Sequence, residues 1–133
     1  MTETMSRQLR VLVVDDSKVM RGIIRKMLTA RGVDVLEAAD GRQALGVLAT
    51  EPVSCIVSDW NMPRMKGIDL LRRVRGDDAL AATPFILVTA EALEANMTEA
   101  DAAKVSSYLV KPFTADDLWR VLKDSLARDA PLA

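Results

Sequence analysis

Five polar side chains that could do chemistry stand where short apolar runs end. They are Asp15, Asp16, Asp59, Thr89 and Lys111. The 133-residue chain contains no histidine, so it lacks the usual general base and the usual metal-binding side chain. Histidine-dependent triads and HExxH zinc sites are excluded for the same reason. Any acid or nucleophile must therefore be a carboxylate.

The three acidic residues indicate a metal ion. Carboxylates that converge on one point repel one another unless a cation neutralises them. Hard oxygen ligands favour Mg²⁺, which keeps several waters and a substrate phosphate among its ligands. Lys111 and the Thr89 hydroxyl could then contact the other oxygens of a phosphoryl group. Asp59 is left as the nucleophile, and its attack would form an acyl phosphate.

Hydrophobic patterning predicts the elements that position these residues. Apolar runs predict strands over residues 9–14, 33–38, 53–57, 85–88 and 107–110. Helical periodicity predicts helices over residues 19–28, 40–50, 67–75 and 91–103, and a last helix that is capped by Thr114 and ends near Leu126. The expected inner face of the fourth helix is Leu93, Met97 and Ala100. Strands that alternate with helices across long connections predict one parallel sheet covered on both faces. Ligands bind at the carboxyl edge of such a sheet, where the polar residues would meet.

Length and composition predict one domain over residues 1–133, with flexible ends at 1–8 and 128–133. The 18 basic and 19 acidic residues give a net charge of −1, and no run of Lys and Arg indicates nucleic-acid binding. The single cysteine lies in an apolar run, which fits a reducing, cytoplasmic setting. No apolar run approaches the ~20 residues that span a bilayer, and no signal segment precedes the first strand, so we expect neither membrane insertion nor export.

A set of motifs stands in order at the ends of four predicted strands. The motifs are Asp15-Asp16, Asp59-Trp60-Asn61-Met62-Pro63, Gly67, Thr89-Ala90-Glu91, Tyr108 and Lys111-Pro112-Phe113. Together they closely resemble the receiver domains of bacterial two-component response regulators, especially the single-domain chemotaxis regulators. The resemblance extends from residue 9 to residue 126. It implies a flavodoxin-like, doubly wound α/β fold with five parallel strands in the order 2-1-3-4-5.

The resemblance also implies how a metal ion would be held. Asp59 would accept the phosphoryl group. Asp16, Asp59 and the backbone carbonyl of Asn61 would bind Mg²⁺, and Asp15 would act mainly through water. Mg²⁺ is the only cofactor implied.

Further roles implied by the resemblance concern the phosphoryl group itself. Thr89 and Lys111 would bind its oxygens, and Tyr108 would turn inward when Thr89 moves towards the phosphate. Asn61 and Glu91 would flank the group and orient an attacking water.

Trp119 stands one residue away from the inner stripe of the last helix, so we expect it to lie partly outside the core. One hypothesis is that Trp119, Tyr108 and the outer side of the fourth helix form a partner-binding face, because aromatic residues are enriched among interface hot spots. The alternative is that the ring only covers neighbouring side chains.

The implied function is a phosphorylation-operated signalling switch, not an enzyme with a separate substrate. The phosphodonor would be a histidine kinase, and the target would be a protein such as a flagellar motor switch or a phosphorelay protein. A receiver that only drains phosphate is an alternative. An Mg²⁺-dependent phosphohydrolase with an aspartyl-phosphate intermediate is another, although that type has a D-x-D run where Asp15 and Asp16 are adjacent. A flavin carrier would need hydroxyl and amide donors in its phosphate loop.

Three residues depart from what the family or the helix pattern favours. Lys66 stands before Gly67, where receivers usually have an acidic or small polar residue. Lys104 stands where receivers commonly have glycine, and a left-handed backbone there would cost about 1 kcal/mol and favour a rebuilt loop. Gly22 lies inside the first predicted helix, where it is tolerable if it permits close packing.

Overall fold

The computed structural model describes residues 9–91 and 93–129. Its strands are β1 (Arg10–Val14), β2 (Asp34–Ala38), β3 (Cys55–Asp59), β4 (Phe85–Thr89) and β5 (Ser107–Val110). Its helices are α1 (Lys18–Thr29), α2 (Gly41–Thr50), α3 (Gly67–Arg75), α4 (Glu94–Ala102) and α5 (Ala115–Asp129). All strand pairs are parallel, in the order β2-β1-β3-β4-β5. The predicted fold is confirmed. Of the ends predicted to be flexible, residues 1–8 and 130–133 lie outside the described residues, whereas residues 128 and 129 belong to α5.

Alternate residues of the central strands build two separate cores. Leu12 and Ile56 point to one face of the sheet and pack with α2, α3 and α4. Val13 and Val57 point to the other face and pack with α1 and α5. Strands β3 and β4 are buried over their whole length, as expected for central strands of a covered parallel sheet. Because both faces are filled, a ligand can reach these strands only at their ends.

Two helices begin with side-chain caps close to the functional edge. The Ser17 hydroxyl accepts a hydrogen bond from the Met20 backbone N–H at 3.1 Å and starts α1 directly after the Asp15-Asp16 turn. At α5, the Asp117 N–H donates to the Thr114 hydroxyl and the Thr114 N–H donates to the Asp117 carboxylate, both at 3.0 Å. This reciprocal pair is a capping box, and it confirms the cap predicted at Thr114.

The fourth helix differs from its prediction. It begins at Glu94 instead of residue 91, and Leu93 occupies the N-cap position with an extended backbone. The Leu93 side chain is 51% exposed, so its assignment to the inner face is wrong. Ala100 is buried and Met97 is half-buried, as predicted. Leu93 leaves the inner face because a residue before the first turn does not follow the helical periodicity of that turn.

The two positions with unusual backbone propensity have different outcomes. Lys104 does adopt the left-handed conformation, with φ of 65°. Its N–H donates to the Asp101 carbonyl at 3.0 Å and its carbonyl accepts from Arg75 Nε at 2.9 Å, so the turn is closed by hydrogen bonds. At Gly22, an added Cβ would meet nothing within 4 Å in the described part of the chain. The close packing considered for Gly22 is therefore absent.

Candidate phosphoacceptor site

The carboxyl ends of the strands bring the predicted polar residues to one edge of the sheet. Asp59 is the last residue of β3 and Thr89 is the last residue of β4. Hydrogen bonds between neighbouring strands continue beyond the strand ends. The Asp15 N–H donates to the Ala38 carbonyl at 3.1 Å, and the Lys111 N–H donates to the Thr89 carbonyl at 2.8 Å. The backbone of the site is therefore fixed by the sheet.

Three carboxylates form a cluster at this edge. One oxygen each from Asp15, Asp16 and Asp59 lies within 4.8 Å of the other two. Asp15 and Asp59 are buried and Asp16 is exposed, so the cluster opens to solvent on one side. Hard oxygen donors with an open side match the preference of Mg²⁺, which keeps waters and binds through a few carboxylates. The residues present therefore fit the magnesium ion implied by the sequence.

The pKa of Asp15 is set by burial first and by its charged and polar neighbours second. Burial raises the pKa of Asp15 above its ordinary value, and the Asp59 carboxylate raises it further. The Ser17 N–H, which donates to Asp15 Oδ1 at 2.8 Å, and the Lys111 ammonium act in the opposite direction. Burial and the neighbouring carboxylates therefore outweigh the Ser17 N–H and the Lys111 ammonium in setting the pKa of Asp15.

Asp59 is paired with the one lysine that the sequence assigned to the site. Lys111 Nζ lies 2.9 Å from Asp59 Oδ1. The side chain of Asp59 is 10% exposed and that of Lys111 is 28% exposed. The carboxylate is thus accessible from one direction only, and a charge-assisted contact orients it.

The predicted flanking residues also meet at this edge. The Thr89 hydroxyl donates to the Glu91 carbonyl at 2.9 Å and accepts from the Glu91 N–H at 3.3 Å. Asn61, Thr89 and Glu91 line one small cavity beside the acidic cluster. The hydroxyl of Thr89 is therefore engaged by its own turn while it faces the site.

Gly67 sets the approach of α3 to β3. Its N–H donates to the Trp60 carbonyl at 2.8 Å. A Cβ at this position would lie 2.3 Å from the Asp59 backbone oxygen, closer than any side chain permits. The glycine therefore lets α3 pack directly on the end of β3 and holds the intervening loop, which contains Asn61.

Arg21 supports the site although sequence reasoning did not identify it. Its Nη1 donates to the Asp15 carbonyl at 2.6 Å, and its Nε lies 3.1 Å from Glu37. Glu37 also pairs with Arg25 at 2.5 Å. The only sequence signal was two arginines spaced four residues apart on one face of α1, which by itself indicates a solvated face.

Tyr108 is tied to α4. Its hydroxyl lies within hydrogen-bonding distance of the Met97 carbonyl, at 2.9 Å, and of the Asp101 carboxylate. Burial and the Asp101 carboxylate raise the pKa of Tyr108 to about 12. The ring is half-buried against the core that contains α2, α3 and α4.

Trp119 lies on the opposite face of the sheet from the core that Tyr108 contacts. It is half-buried, as predicted, against the core that contains α1 and α5. The Arg31 guanidinium lies 5.0 Å from the ring centroid and the Lys123 ammonium lies 5.8 Å from it. Trp119 and Tyr108 therefore pack against different cores, one on each side of the sheet.

A five-stranded parallel sheet with an acidic cluster, a lysine and a hydroxyl at its carboxyl edge is the arrangement of a receiver domain. Comparisons with known proteins agree with this class. Residues 11–123 match the family described as response regulator receiver domain. The chain belongs to that family.

Two relatives of this chain are chemotaxis proteins. The chemotaxis protein CheY of Pseudomonas aeruginosa is 45% identical over 121 residues, which cover 90% of this chain and 94% of that protein. The solved structure of chemotaxis protein CheY4 of Vibrio cholerae superposes with a TM-score of 0.83 at 35% identity, covering 86% of this chain and 96% of that one. The chain is thus closely related to chemotaxis regulators, and the phosphohydrolase and flavin-carrier alternatives are not favoured.

A third relative bears on the metal. The receiver domain of a sensor histidine kinase from Pseudomonas aeruginosa has a magnesium ion coordinated in its active-site cleft. It superposes with a TM-score of 0.82 at 29% identity and covers 90% of this chain and 98% of that one.

Among the described residues, no helix has the length and apolar character needed to cross a membrane.

Proposed function

We propose that this protein is a single-domain response regulator in which Asp59 accepts a phosphoryl group from the phosphohistidine of a histidine kinase. The observation that carries the proposal is the 2.9 Å contact between Lys111 and Asp59 inside the acidic cluster. A structural ion pair would match one lysine with one carboxylate. Here the lysine pairs with Asp59, while two further carboxylates, Asp15 and Asp16, belong to the same cluster, which leaves a negative site with a place for a divalent cation.

The transfer needs no general base. An ionised oxygen of Asp59 attacks the phosphorus, the bond from phosphorus to the imidazole nitrogen breaks, and its electron pair leaves on the histidine. Lys111 exchanges its contact with Asp59 for one with a phosphoryl oxygen, and the Thr89 hydroxyl donates to another.

Asp16, Asp59 and the backbone carbonyl of Asn61 would hold Mg²⁺, with Asp15 acting mainly through water. When bound, the ion supplies positive charge that offsets the repulsion between these carboxylates and the incoming phosphoryl oxygens. The convergence of the Asp15, Asp16 and Asp59 oxygens within 4.8 Å of one another supports this assignment.

Hydrolysis of the acyl phosphate would end the signal. Asn61 and Glu91 lie beside the site and carry polar side chains that can orient an attacking water. We therefore propose that the phosphorylated state is short-lived.

The output would be a change at the face formed by α4, β5 and α5. To donate to a phosphoryl oxygen, the Thr89 hydroxyl must leave the Glu91 carbonyl, which frees the connection to α4. The Tyr108 hydroxyl is hydrogen-bonded to the Met97 carbonyl in α4. We propose that Tyr108 turns inward when Thr89 moves. The phosphorylation of Asp59 would therefore be coupled to the conformation of this face, which would have two states.

The proposed partners are a CheA-like histidine kinase and a downstream protein such as a flagellar motor switch, and the proposed location is the cytoplasm. The names of the chemotaxis relatives support a role in chemotaxis. Transfer to a phosphorelay protein, or simple drainage of phosphate, would use the same site with a different partner. Phosphotransfer profiling against the kinases of the host separates these cases.

The test of the acceptor is intact-mass measurement after incubation with acetyl phosphate and Mg²⁺. Wild type should gain one phosphoryl group that is stable in acid and labile in base. Asp59→Asn should gain none, whereas the control Asp78→Asn, at an exposed residue of the α3–β4 loop, should behave as wild type. Undiminished phosphorylation of Asp59→Asn would move the acceptor elsewhere.

Trp119 remains a proposed contact of the α5 part of this face. Trp119→Ala should leave the phosphotransfer rate unchanged and weaken binding of a partner, with or without beryllofluoride. If Trp119→Ala binds every partner found with wild-type affinity, Trp119 only packs against Arg31 and α1 and does not contact partners.

A further inference from the structure

A cavity of about 270 Å³ lies beside the acidic cluster, between the β3–α3 loop and the start of α4. Its polar lining residues are Asn61, Lys66, Thr89, Glu91 and Asn96. Three of them, Asn61, Thr89 and Glu91, also belong to the candidate site. A small group attached to a phosphorus atom near Asp59 can therefore enter this cavity.

Lys66 is the only cation among the described lining residues, and it takes part in no ion pair within the part of the chain that the structure describes. Among the described residues, no carboxylate forms an ion pair with its ammonium within 4.0 Å, whereas nearby Arg64 lies 3.7 Å from Asp40. Lys66 occupies the N-cap position of α3 without a side-chain capping bond. An exposed ammonium on a flexible stem can therefore meet an anion that enters the cavity.

The size and charge of the cavity limit its occupant. At about 270 Å³ the cavity falls just below the ~300–1,000 Å³ of pockets for drug-sized ligands, so it suits an occupant smaller than those ligands. Glu91 shares the lining with Lys66, and its charge disfavours an anion with several negative charges. A single carboxylate beside Lys66 meets both limits.

We propose that this cavity is the leaving-group subsite for small acyl phosphates, and that Lys66 is the residue that favours them. The inference rests on the proposed phosphorylation of Asp59. An Asp59 oxygen bonds to phosphorus, the bond from phosphorus to the acyl oxygen breaks, and the electron pair leaves with a carboxylate, without proton transfer.

The charge that develops on the leaving group decides how much Lys66 contributes. With an acyl phosphate, the departing oxygen gains negative charge as its bond breaks, so the ammonium stabilises the transition state more than the bound donor. Phosphoramidate releases neutral ammonia. The charge of Lys66 would therefore stabilise that transition state no more than the bound donor.

The test compares initial phosphorylation rates with acetyl phosphate and with phosphoramidate, measured by intact mass. Lys66→Gln should slow the reaction with acetyl phosphate by roughly threefold to fivefold, the range of an exposed charge interaction, and leave phosphoramidate unaffected. Lys66→Arg should keep most of the rate. Arg64→Gln removes a positive charge two residues away but outside the cavity, so it should leave the ratio of the two rates unchanged.

Beryllofluoride has no leaving group and supplies a readout that does not depend on turnover. It should bind wild type and Lys66→Gln with equal affinity. Equal slowing with both donors, no slowing with either, or weaker beryllofluoride binding would each overturn the subsite. Failure of wild type to be phosphorylated by either donor would instead overturn the proposed function.

Discussion

Replacing Gly67 by alanine tests how closely α3 approaches the acceptor strand. The added Cβ would lie 2.3 Å from the Asp59 backbone oxygen and 2.9 Å from Cδ2 of Leu87. The nearer atom belongs to the main chain, so it cannot turn aside as the end of a side chain can. Over-packing of this kind costs about 1–3 kcal/mol, and the gain in helix propensity returns at most ~1 kcal/mol. We expect a net loss of about 1–2 kcal/mol in the free energy of unfolding.

Gly22→Ala is the matched control, because it adds the same methyl group to a helix at a point where no described residue lies within 4 Å. It should raise the free energy of unfolding by up to ~1 kcal/mol. Urea unfolding followed by circular dichroism measures both variants, and each 1 kcal/mol corresponds to about 3–5 °C in Tm for a chain of this size. Since the strain at Gly67 falls on the backbone of Asp59, only Gly67→Ala should also weaken Mg²⁺ binding.

A Gly67→Ala protein that is as stable as wild type and binds Mg²⁺ normally would refute this reasoning. It would mean that α3 can withdraw from β3 at no cost. Destabilisation of Gly22→Ala by a similar amount would also contradict it, because the open space at that position predicts the opposite sign.

Three further predictions concern the metal, the lifetime and the pH dependence. Asp16→Ala should abolish Mg²⁺ binding in a tryptophan-fluorescence titration, because a ligand of an already minimal set is lost; unchanged affinity would refute the assignment. Asn61→Leu should slow self-dephosphorylation, followed by intact mass over time, because an apolar side chain cannot orient water; a wild-type phosphoprotein that is stable for hours would contradict this. Glu37→Gln should lower stability at neutral pH by up to ~1 kcal/mol, because Arg25 and Arg21 lower the pKa of Glu37. A lowered pKa contributes stability above the ordinary value of 4.5 that is lost as pH falls through the folded value, so urea unfolding of wild type and variant should converge in acid. A difference that persists there would argue against the ion pairs.

The strand ends that carry the site could be predicted because buried parallel strands have a simple pattern. Each is a short apolar run, and the first polar residue after it marks the end. Thr89 follows this pattern directly, and Asp59 follows it after one small polar residue, Ser58; both prove to be the last residues of fully buried strands. Once the strands are known to be parallel, their carboxyl ends must share one edge.

Contacts between distant segments could not be predicted in this way. The bond from Arg21 to the Asp15 carbonyl and its pairing with Glu37 require that β2 lies beside β1, with Glu37 turned towards α1. Nothing within either segment encodes that register. The open space at Gly22 likewise depends on what neighbouring elements leave uncovered.

The division between Tyr108 and Trp119 has a similar origin. Trp119 was correctly placed partly outside the core, and Tyr108 is half-buried as well. Which of the two cores each residue borders depends on the face of the sheet that the element covers. Tyr108 belongs to β5 and points towards α4, whereas Trp119 belongs to α5, which packs with α1.

The hydroxyl of Thr89 can donate only one hydrogen bond at a time. Binding of a phosphoryl group at Asp59 and binding of a target protein would therefore influence each other through this hydroxyl. While it donates to the Glu91 carbonyl, it stabilises the start of the connection to α4. A target that prefers the released connection would favour donation to a phosphoryl oxygen, and it would raise the affinity for beryllofluoride by the same factor as beryllofluoride raises the affinity for the target. A protein that prefers the closed turn would act as an antagonist without touching Asp59.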